Sequence, residues 1–160
     1  MKLVSVVVLS YRSSETMIQT LDSIKNQTYR NIELIITDDC SPDNSVEVAK
    51  KWIDENEGSL TSIKLVTTEK NTGLPGNINR ALKQVAGEYI KLIAADDYMT
   101  EDAIAEYVDF CEQNPKAIPI AKVHLFADEE TDFTEVQNYC DGCYEFAQKD
   151  YREQYKMLLM

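Results

Sequence analysis

The sequence has few of the residues that define several common classes of protein. It holds one histidine, four cysteines and five glycines in 160 residues. Because a chain of this length buries a core without covalent cross-links, we expect reduced thiols, as in a cytoplasmic protein. The isolated stretch Cys140-Asp141-Gly142-Cys143 lacks the second ligand pair of a zinc site, and His124 lies upstream in a predicted strand. We interpret the stretch as a turn with unused thiols and His124 as a semi-buried residue.

Basic residues and long apolar runs are also scarce. Sixteen lysines and arginines against 28 aspartates and glutamates give a net charge of −12. Such a chain repels the phosphodiester backbone, so nucleic acid is not an expected partner. No apolar run approaches the roughly 20 residues that cross a bilayer, and the first residues lack the pattern of a signal peptide. We therefore expect no membrane insertion by this chain, and its 44% apolar content predicts one compact domain.

Segments of β-branched and aliphatic residues alternate with segments of helical periodicity. Residues 3–9 form a nearly continuous apolar run, which is typical of a strand covered on both faces of a parallel sheet. Alternation with short connections predicts an α/β fold, with helices on both faces of a largely parallel sheet. The predicted strands are residues 3–9, 32–37, 63–67, 89–94 and 118–126, and the predicted helices are 15–26, 46–57, 77–86 and 100–114.

Other local expectations concern the third helix and the C-terminal part. Residues 69–76 are predicted to be a loop, and the helix after it is expected to pack through Ile78, Leu82 and Val85. Residues 127–142 are predicted to be acidic and irregular, and residues 144–160 to be helical. Because the last five residues are apolar where a terminus usually frays, we expect the natural chain to continue.

Two pairs of aspartates follow predicted strands: Asp38-Asp39 after the second and Asp96-Asp97 after the fourth. One such pair has an ordinary interpretation as a turn or a helix cap. Two pairs at one edge of a sheet place four carboxylates together, which is costly unless a positive charge joins them. We expect Mg²⁺ or Mn²⁺, shared with the diphosphate of a substrate.

With these motifs the chain resembles the family-2 glycosyltransferases. The resemblance spans about the first 100 residues. It is carried by residues 4–11, 21–29, 32–43 and 71–73, by Asn79, and by residues 86–90 and 95–97. It implies the GT-A fold, a Rossmann-like three-layer sandwich with a mainly parallel central sheet. It also implies that residues 1–160 are a single nucleotide-sugar-binding domain, truncated before the acceptor-binding half.

The resemblance implies a role for individual residues. Tyr11 would line a uridine pocket, Asp39 would accept a hydrogen bond from the uracil ring, Asp96 would contact the ribose, and Asp97 would hold Mn²⁺ or Mg²⁺. The implied nucleotide-binding residues are Ser10, Tyr11, Asp38, Asp39, Asn79 and Asp96, and the implied metal ligand is Asp97.

The resemblance further implies transfer of a sugar from a nucleotide donor, usually UDP-linked, to an acceptor hydroxyl with inversion. A glycan or lipid-linked acceptor and cell-surface polysaccharide biosynthesis at the cytoplasmic face of the membrane are the implied setting. The family's catalytic base is an aspartate further along the chain, and Asp141 and Asp150 stand in the wrong setting for it. We therefore place the base beyond residue 160 and expect this chain to bind donor with little turnover.

The sequence departs from the family in two places that matter. Ala94 stands where an acid is usual, and the usual Arg-Asn pair of the third helix is replaced by Asn77 and Asn79, with Arg80 shifted along. The basic contact to the nucleotide is thus unassigned, and we expect Arg80 to face solvent. Because of these departures, a non-catalytic nucleotide-binding module remains an alternative interpretation of this chain.

Two more distant alternatives fit less well. A phosphoacceptor receiver domain carries its acidic pair after the first strand, where this chain has Ser10-Tyr11-Arg12. A nucleotidyltransferase would normally show a glycine- and arginine-rich loop at that place, and residues 10–14 contain no glycine and one arginine.

Overall fold

The computed structural model describes residues 1–115, 119 and 134–149. Residues Met1–Phe110 form one compact unit and Cys111–Met160 a second one. The predicted fifth strand, apart from residue 119, lies outside the described residues, and so do His124 and Asp150. Among the described helices, none has both the length and the apolar character needed to cross a membrane.

The first unit contains a four-stranded sheet in which every pairing is parallel, as predicted. The strands are β1 (Val4–Ser10), β2 (Ile32–Asp38), β3 (Ser62–Val66) and β4 (Tyr89–Ala94), and their order is β3-β2-β1-β4. The chain therefore moves outward from β1 to β3 and then returns to the other side of β1. Ligands of such sheets bind at the carboxyl ends of the strands, where the order reverses.

Helices connect these strands and close both faces of the sheet. They are α1 (Met17–Lys25), α2 (Ser45–Glu55), α3 (Gly73–Leu82) and α4 (Ala103–Gln113), and α5 (Thr134–Ala147) lies in the second unit. One face of the sheet packs on α1, α2 and the first part of α4, through a cluster that includes Leu21, Trp52 and Ile104. The opposite face packs on α3, where Val7 and Ile35 contact Ala81. This arrangement explains why β1 and β2 are apolar with almost no alternation.

The structure corrects the prediction for the third helix. α3 begins at Gly73, inside the segment predicted as a loop, and Gly73 has a φ of +72° that favours glycine. Its buried residues are Asn77 and Ala81, whereas Leu82 is 41% exposed. Val85, beyond the end of α3, does pack against the core as predicted. The face was misplaced because a polar side chain, Asn77, turns inward to bond with the end of the sheet.

Residues 127–133 lie outside the described residues, and the prediction of irregular structure is wrong for residues 134–142. They are helical as the first part of α5, so Cys140 and Cys143 lie in a helix rather than in a turn. Cys140 is a free thiol. An acidic composition does not prevent a helix, and the one glycine in it, Gly142, costs only about 1 kcal/mol relative to alanine.

Candidate functional site

The loops after β1 and β2 brace each other at the carboxyl edge of the sheet. Three consecutive amide groups of the first loop donate to side chains of the second. These bonds are Arg12 N to Ser41 Oγ at 2.9 Å, Ser13 N to Ser45 Oγ at 2.9 Å and Ser14 N to Asp43 Oδ2 at 3.2 Å. Two residues without glycine's freedom, Arg12 and Cys40, hold φ of 57° and 63°. Such strain persists only where surrounding contacts fix it, and it is common at binding sites.

Asp38 is part of this brace. It is 1% exposed, and its carboxylate accepts bonds from Ser10 Oγ at 2.9 Å, Ser41 N at 2.8 Å and Ser41 Oγ at 2.6 Å. Ser10 is equally buried and lies opposite Asp38 in the register of β1 and β2. Both residues therefore hold the two loops together from the buried side of the site. Their direct contact with a nucleotide stays a prediction.

Asp39 is also buried, with 2% exposure. Its Oδ1 accepts bonds from Thr72 Oγ1 and Arg80 Nη2, each at 2.7 Å, and its Oδ2 accepts one from Thr72 N at 2.9 Å. Burial raises the pKa of this carboxyl, but the bonds from Thr72, the amide of Gly73 and the charge of Arg80 outweigh it, so the pKa is lowered. In this conformation a nucleotide base can contact the Asp39 carboxylate only if the side chain of Thr72 or of Arg80 moves away from it.

The expectation that Arg80 faces solvent is wrong. Its side chain is 19% exposed and forms an ion pair with Asp39. The same Nη2 donates to Asn77 Oδ1 at 3.0 Å, and Asn77 accepts a bond from the Thr37 hydroxyl at 2.6 Å. A buried carboxylate is strongly stabilised by a guanidinium, which draws Arg80 inward from α3. Its Nε is buried without a partner among the described residues.

The second acidic pair lies in the turn after β4 and is exposed. The turn is fixed by Ala95 N donating to Leu9 O at 3.0 Å and by Thr16 Oγ1 donating to Ala95 O at 2.9 Å. Partial burial and the neighbouring charge of Asp96 raise the pKa of Asp97, against the opposing charge of Lys91. A cation bound at Asp97 would relieve this repulsion.

The two acidic pairs do not form one cluster of four carboxylates. β1 separates the ends of β2 and β4, which two strand spacings place about 10 Å apart. Asp38 is already hydrogen-bonded and Asp39 is paired with Arg80. A metal ion at Asp96 and Asp97 would therefore have no ligand from the first acidic pair. Within the described residues no group of three histidine, cysteine or acidic side chains is placed to hold a metal ion. The oxygens of Asp97 suit Mg²⁺ or Mn²⁺ only if substrate phosphates and water supply most of the ligands.

Other implied residues lie on the surface of this edge. Tyr11, directly after β1, is 44% exposed, and Asn79 is exposed on α3. A cavity of about 440 Å³ lies between the two braced loops. Its lining residues are Arg12, Ser14, Glu15, Thr16, Pro42 and Asp43. Sequence reasoning missed Arg12, although a basic residue directly after β1 in so acidic a chain was a usable signal.

The chain belongs to glycosyl transferase family 2, because the model of this family matches residues 5–159. An uncharacterized glycosyltransferase of Haemophilus influenzae is 33% identical over 114 residues, which are 71% of this chain and 44% of that protein. The UDP-Glc:alpha-D-GlcNAc-diphosphoundecaprenol beta-1,3-glucosyltransferase WfaP of Escherichia coli is 33% identical over 114 residues, 70% of this chain and 42% of that protein. The chain thus spans less than half the length of these relatives.

Solved structures of glycosyltransferases share the fold. The mannosyltransferase PcManGT from Pyrobaculum calidifontis, in complex with GDP-Man and Mn²⁺, has a TM-score of 0.65 and 26% identity and covers 69% of this chain and 32% of its own. TarS 1-349 of Staphylococcus aureus, in complex with UDP-GlcNAc, has a TM-score of 0.62 and 24% identity and covers 75% of this chain and 38% of its own. The predicted family and the predicted GT-A fold are confirmed.

Proposed function

We propose that this chain is the donor-binding part of a metal-dependent, inverting glycosyltransferase that uses a UDP-sugar. One observation carries the proposal. In a chain of glycosyl transferase family 2, Asp96 and Asp97 are exposed in the turn after β4, beside the point where the strand order reverses. A relative named for a UDP-linked glucose donor supports the choice of uridine.

The proposed roles follow the exposure of each side chain. Tyr11 presents an aromatic face on which a base can stack, Asp96 accepts bonds from the ribose hydroxyls, and Asp97 holds Mn²⁺ or Mg²⁺ against the diphosphate. When bound, the ion supplies a Lewis acid that stabilises the negative charge of the leaving diphosphate. Asn79, exposed on α3, is a further nucleotide contact.

The buried acids have a different role in this proposal. Asp38 and Ser10 hold the loop that presents Tyr11, since their side chains bond to each other beneath it. Asp39 accepts a hydrogen bond from the uracil base only after the hydroxyl and the amide of Thr72 have moved away, because the carboxylate is covered in this conformation.

The reaction forms a bond from an acceptor oxygen to the anomeric carbon while the bond from that carbon to the diphosphate breaks. The proton of the acceptor hydroxyl passes to a base, which we place in a part of the protein beyond residue 160. A glycan or lipid-linked acceptor is supported by WfaP, whose name specifies a diphosphoundecaprenol-linked acceptor. We place the reaction in cell-surface polysaccharide synthesis at the cytoplasmic face of the membrane.

A non-catalytic nucleotide-binding module is the second candidate. It is favoured by Ala94, which stands where the family usually has an acid, and by the covered state of Asp39. Transfer or hydrolysis of a UDP-sugar by the full-length natural protein would exclude it. Binding of UDP without either reaction would support it.

Titration calorimetry tests the proposal directly. UDP, GDP and CDP are titrated into this chain with and without Mn²⁺, and Mn²⁺ alone is titrated as a control for binding of the ion without nucleotide. We expect UDP to bind best and Mn²⁺ to tighten it by at least about tenfold. Equal binding of UDP with and without Mn²⁺ would contradict the metal assignment, and equal binding of the three nucleotides would contradict the choice of uridine.

A further inference from the structure

Arg12 is a basic side chain at the carboxyl edge of the sheet, where its guanidinium lies beside the Tyr11 ring. Within the described residues its guanidinium takes part in no ion pair, whereas Arg80 is paired with Asp39. Arg12 is also exposed. In a chain with a net charge of −12, an exposed guanidinium at this edge favours the binding of an anionic ligand.

The backbone of Arg12 is fixed before any ligand arrives. Its amide donates to Ser41 Oγ at 2.9 Å, and the next two amides are held by the same neighbouring loop. Its φ of 57° is the left-handed conformation that arginine rarely adopts. The guanidinium lies 5.3 Å from the centre of the Tyr11 ring, close enough for a cation–π contact. The backbone at Arg12 therefore does not have to be ordered when a ligand binds.

Arg12 lines the cavity of about 440 Å³ between the two loops. Two carboxylates share this lining. Asp43 accepts hydrogen bonds from Ser14 and Ser45, and Glu15 is exposed in the turn that precedes α1. Thr16 links the same lining to the turn of Asp96 and Asp97, because its hydroxyl bonds to Ala95 O at 2.9 Å. The cavity therefore adjoins the turn at which we propose the diphosphate to bind.

We propose that Arg12 donates hydrogen bonds to a phosphate group of the nucleoside diphosphate while Tyr11 stacks on its base. This inference rests on the proposed function. It assigns to Arg12 the basic contact with the nucleotide that was left open where Asn77 and Asn79 replace the usual Arg-Asn pair of the third helix. The planar guanidinium suits phosphate oxygens, since it offers several donors in one plane. Arg80 cannot serve in its place without leaving Asp39 as an uncompensated buried charge.

The test compares Arg12→Gln and Arg12→Asn with the matched control Arg30→Gln. Asparagine tolerates the left-handed backbone, so the second variant keeps the loop intact if glutamine disturbs it. Arg30 is exposed in the connection that precedes β2, at the opposite edge of the sheet. Calorimetry with Mn²⁺ measures the affinities for UDP, UMP and uridine, and thermal unfolding checks that each variant is folded.

We expect both Arg12 variants to weaken UDP about ten- to hundredfold, to leave uridine within about twofold, and to match Arg30→Gln in stability. An unchanged affinity for UDP would overturn the inference, and so would an equal loss for UDP and uridine, which would make Arg12 a support for Tyr11 alone. If the unsubstituted chain binds no UDP, the proposed function fails together with the inference. If it binds UDP and the variants do so equally well, only the role of Arg12 fails.

Discussion

Arg80 on α3 and Asp39 after β2 form an ion pair with 2.7 Å between Nη2 and Oδ1, although 41 residues separate them in the chain. The carboxylate is buried and the guanidinium is mostly buried. The pair ties the helix on one face of the sheet to the loop that carries the first acidic pair. The protein itself thus supplies the positive charge that pairs with Asp39, through Arg80.

Replacing Arg80 by methionine is expected to destabilise the fold. The substitution leaves a buried carboxylate without its counter-charge, but Thr72 still donates two hydrogen bonds to it. We expect the free energy of unfolding to fall by about 2 kcal/mol, which is less than the roughly 3–5 kcal/mol for breaking a fully buried pair, because these two bonds remain. Urea unfolding followed by the fluorescence of Trp52, the only tryptophan, measures it. Arg30→Met is the exposed control, and a loss no larger than that of the control would contradict the importance of the pair.

Thr72 is expected to compete with the nucleotide for Asp39. Thr72→Val keeps the shape of the side chain but removes the hydroxyl that donates to Oδ1 at 2.7 Å. If Asp39 accepts a hydrogen bond from the uracil base, the variant should bind UDP several-fold more tightly. The bond of about 1 kcal/mol between the Thr72 hydroxyl and Asp39 then no longer has to be broken. Calorimetry measures the affinity, with the exposed Thr67→Val as control. Weaker binding than in that control would assign Thr72 to the site itself.

Stability is expected to fall in acid through Asp43. Burial raises the pKa of Asp43, but hydrogen bonds from Ser45 and Ser14 outweigh it and lower the pKa from 3.8 to about 2. The unfolded chain therefore binds the proton more readily, so this contribution is complete above about pH 4 and is lost as the pH falls toward about 2. Asp39 and Glu33, whose pKa values are also lowered, act in the same direction.

The variant Asp43→Asn tests this assignment. The difference in free energy of unfolding between the unsubstituted chain and the variant should be largest above about pH 4 and shrink toward about pH 2. Asp54→Asn, on the exposed surface of α2, is the matched control and should show no such trend. A constant difference at every pH would show that Asp43 acts through its shape and not through its charge.

Gly87 before β4 is expected to tolerate no side chain. A Cβ built there would lie 2.5 Å from Ser5 Oγ, 2.7 Å from Ser5 N and 2.8 Å from Leu3 O. Since two of these atoms belong to the backbone of the first strand region, Gly87→Ala should lower the free energy of unfolding by about 2 kcal/mol or more. The fluorescence of Trp52 in urea reports it. Gly142→Ala is the control, because a Cβ at Gly142 meets nothing within 4 Å, and an equal loss in both would refute the steric explanation.

The parallel sheet was predictable because its signal is local. β1 and β2 are buried on both faces, so apolar residues fill most positions of both strands with little alternation, a pattern that favours a covered parallel sheet. The turns were equally clear, since Asp38 ends β2 and Asp96 follows β4 after a single residue, Ala95. The positions of both acidic pairs at one edge then followed from the parallel arrangement.

The electrostatics of the site was not predictable from the same pattern. Periodicity assigned Leu82 to the buried face of α3, whereas Asn77 occupies it through bonds to the backbone of Thr37 and Ser10. That contact, together with the long-range attraction of Arg80 to Asp39, depends on which elements meet in space. The sequence placed four carboxylates at one edge of the sheet, but it did not show that Asp39 is paired with Arg80 or that Asp38 accepts hydrogen bonds from Ser10 and Ser41.

Binding of UDP by Asp97→Asn, with and without Mn²⁺, tests the central assignment most directly. The substitution keeps the size of an exposed side chain and removes its charge, and Asp54→Asn on α2 is its matched control. We expect Mn²⁺ to tighten UDP in the control as in the unsubstituted chain, and to have almost no effect in Asp97→Asn. The same gain from Mn²⁺ in both variants would contradict a metal site at Asp97.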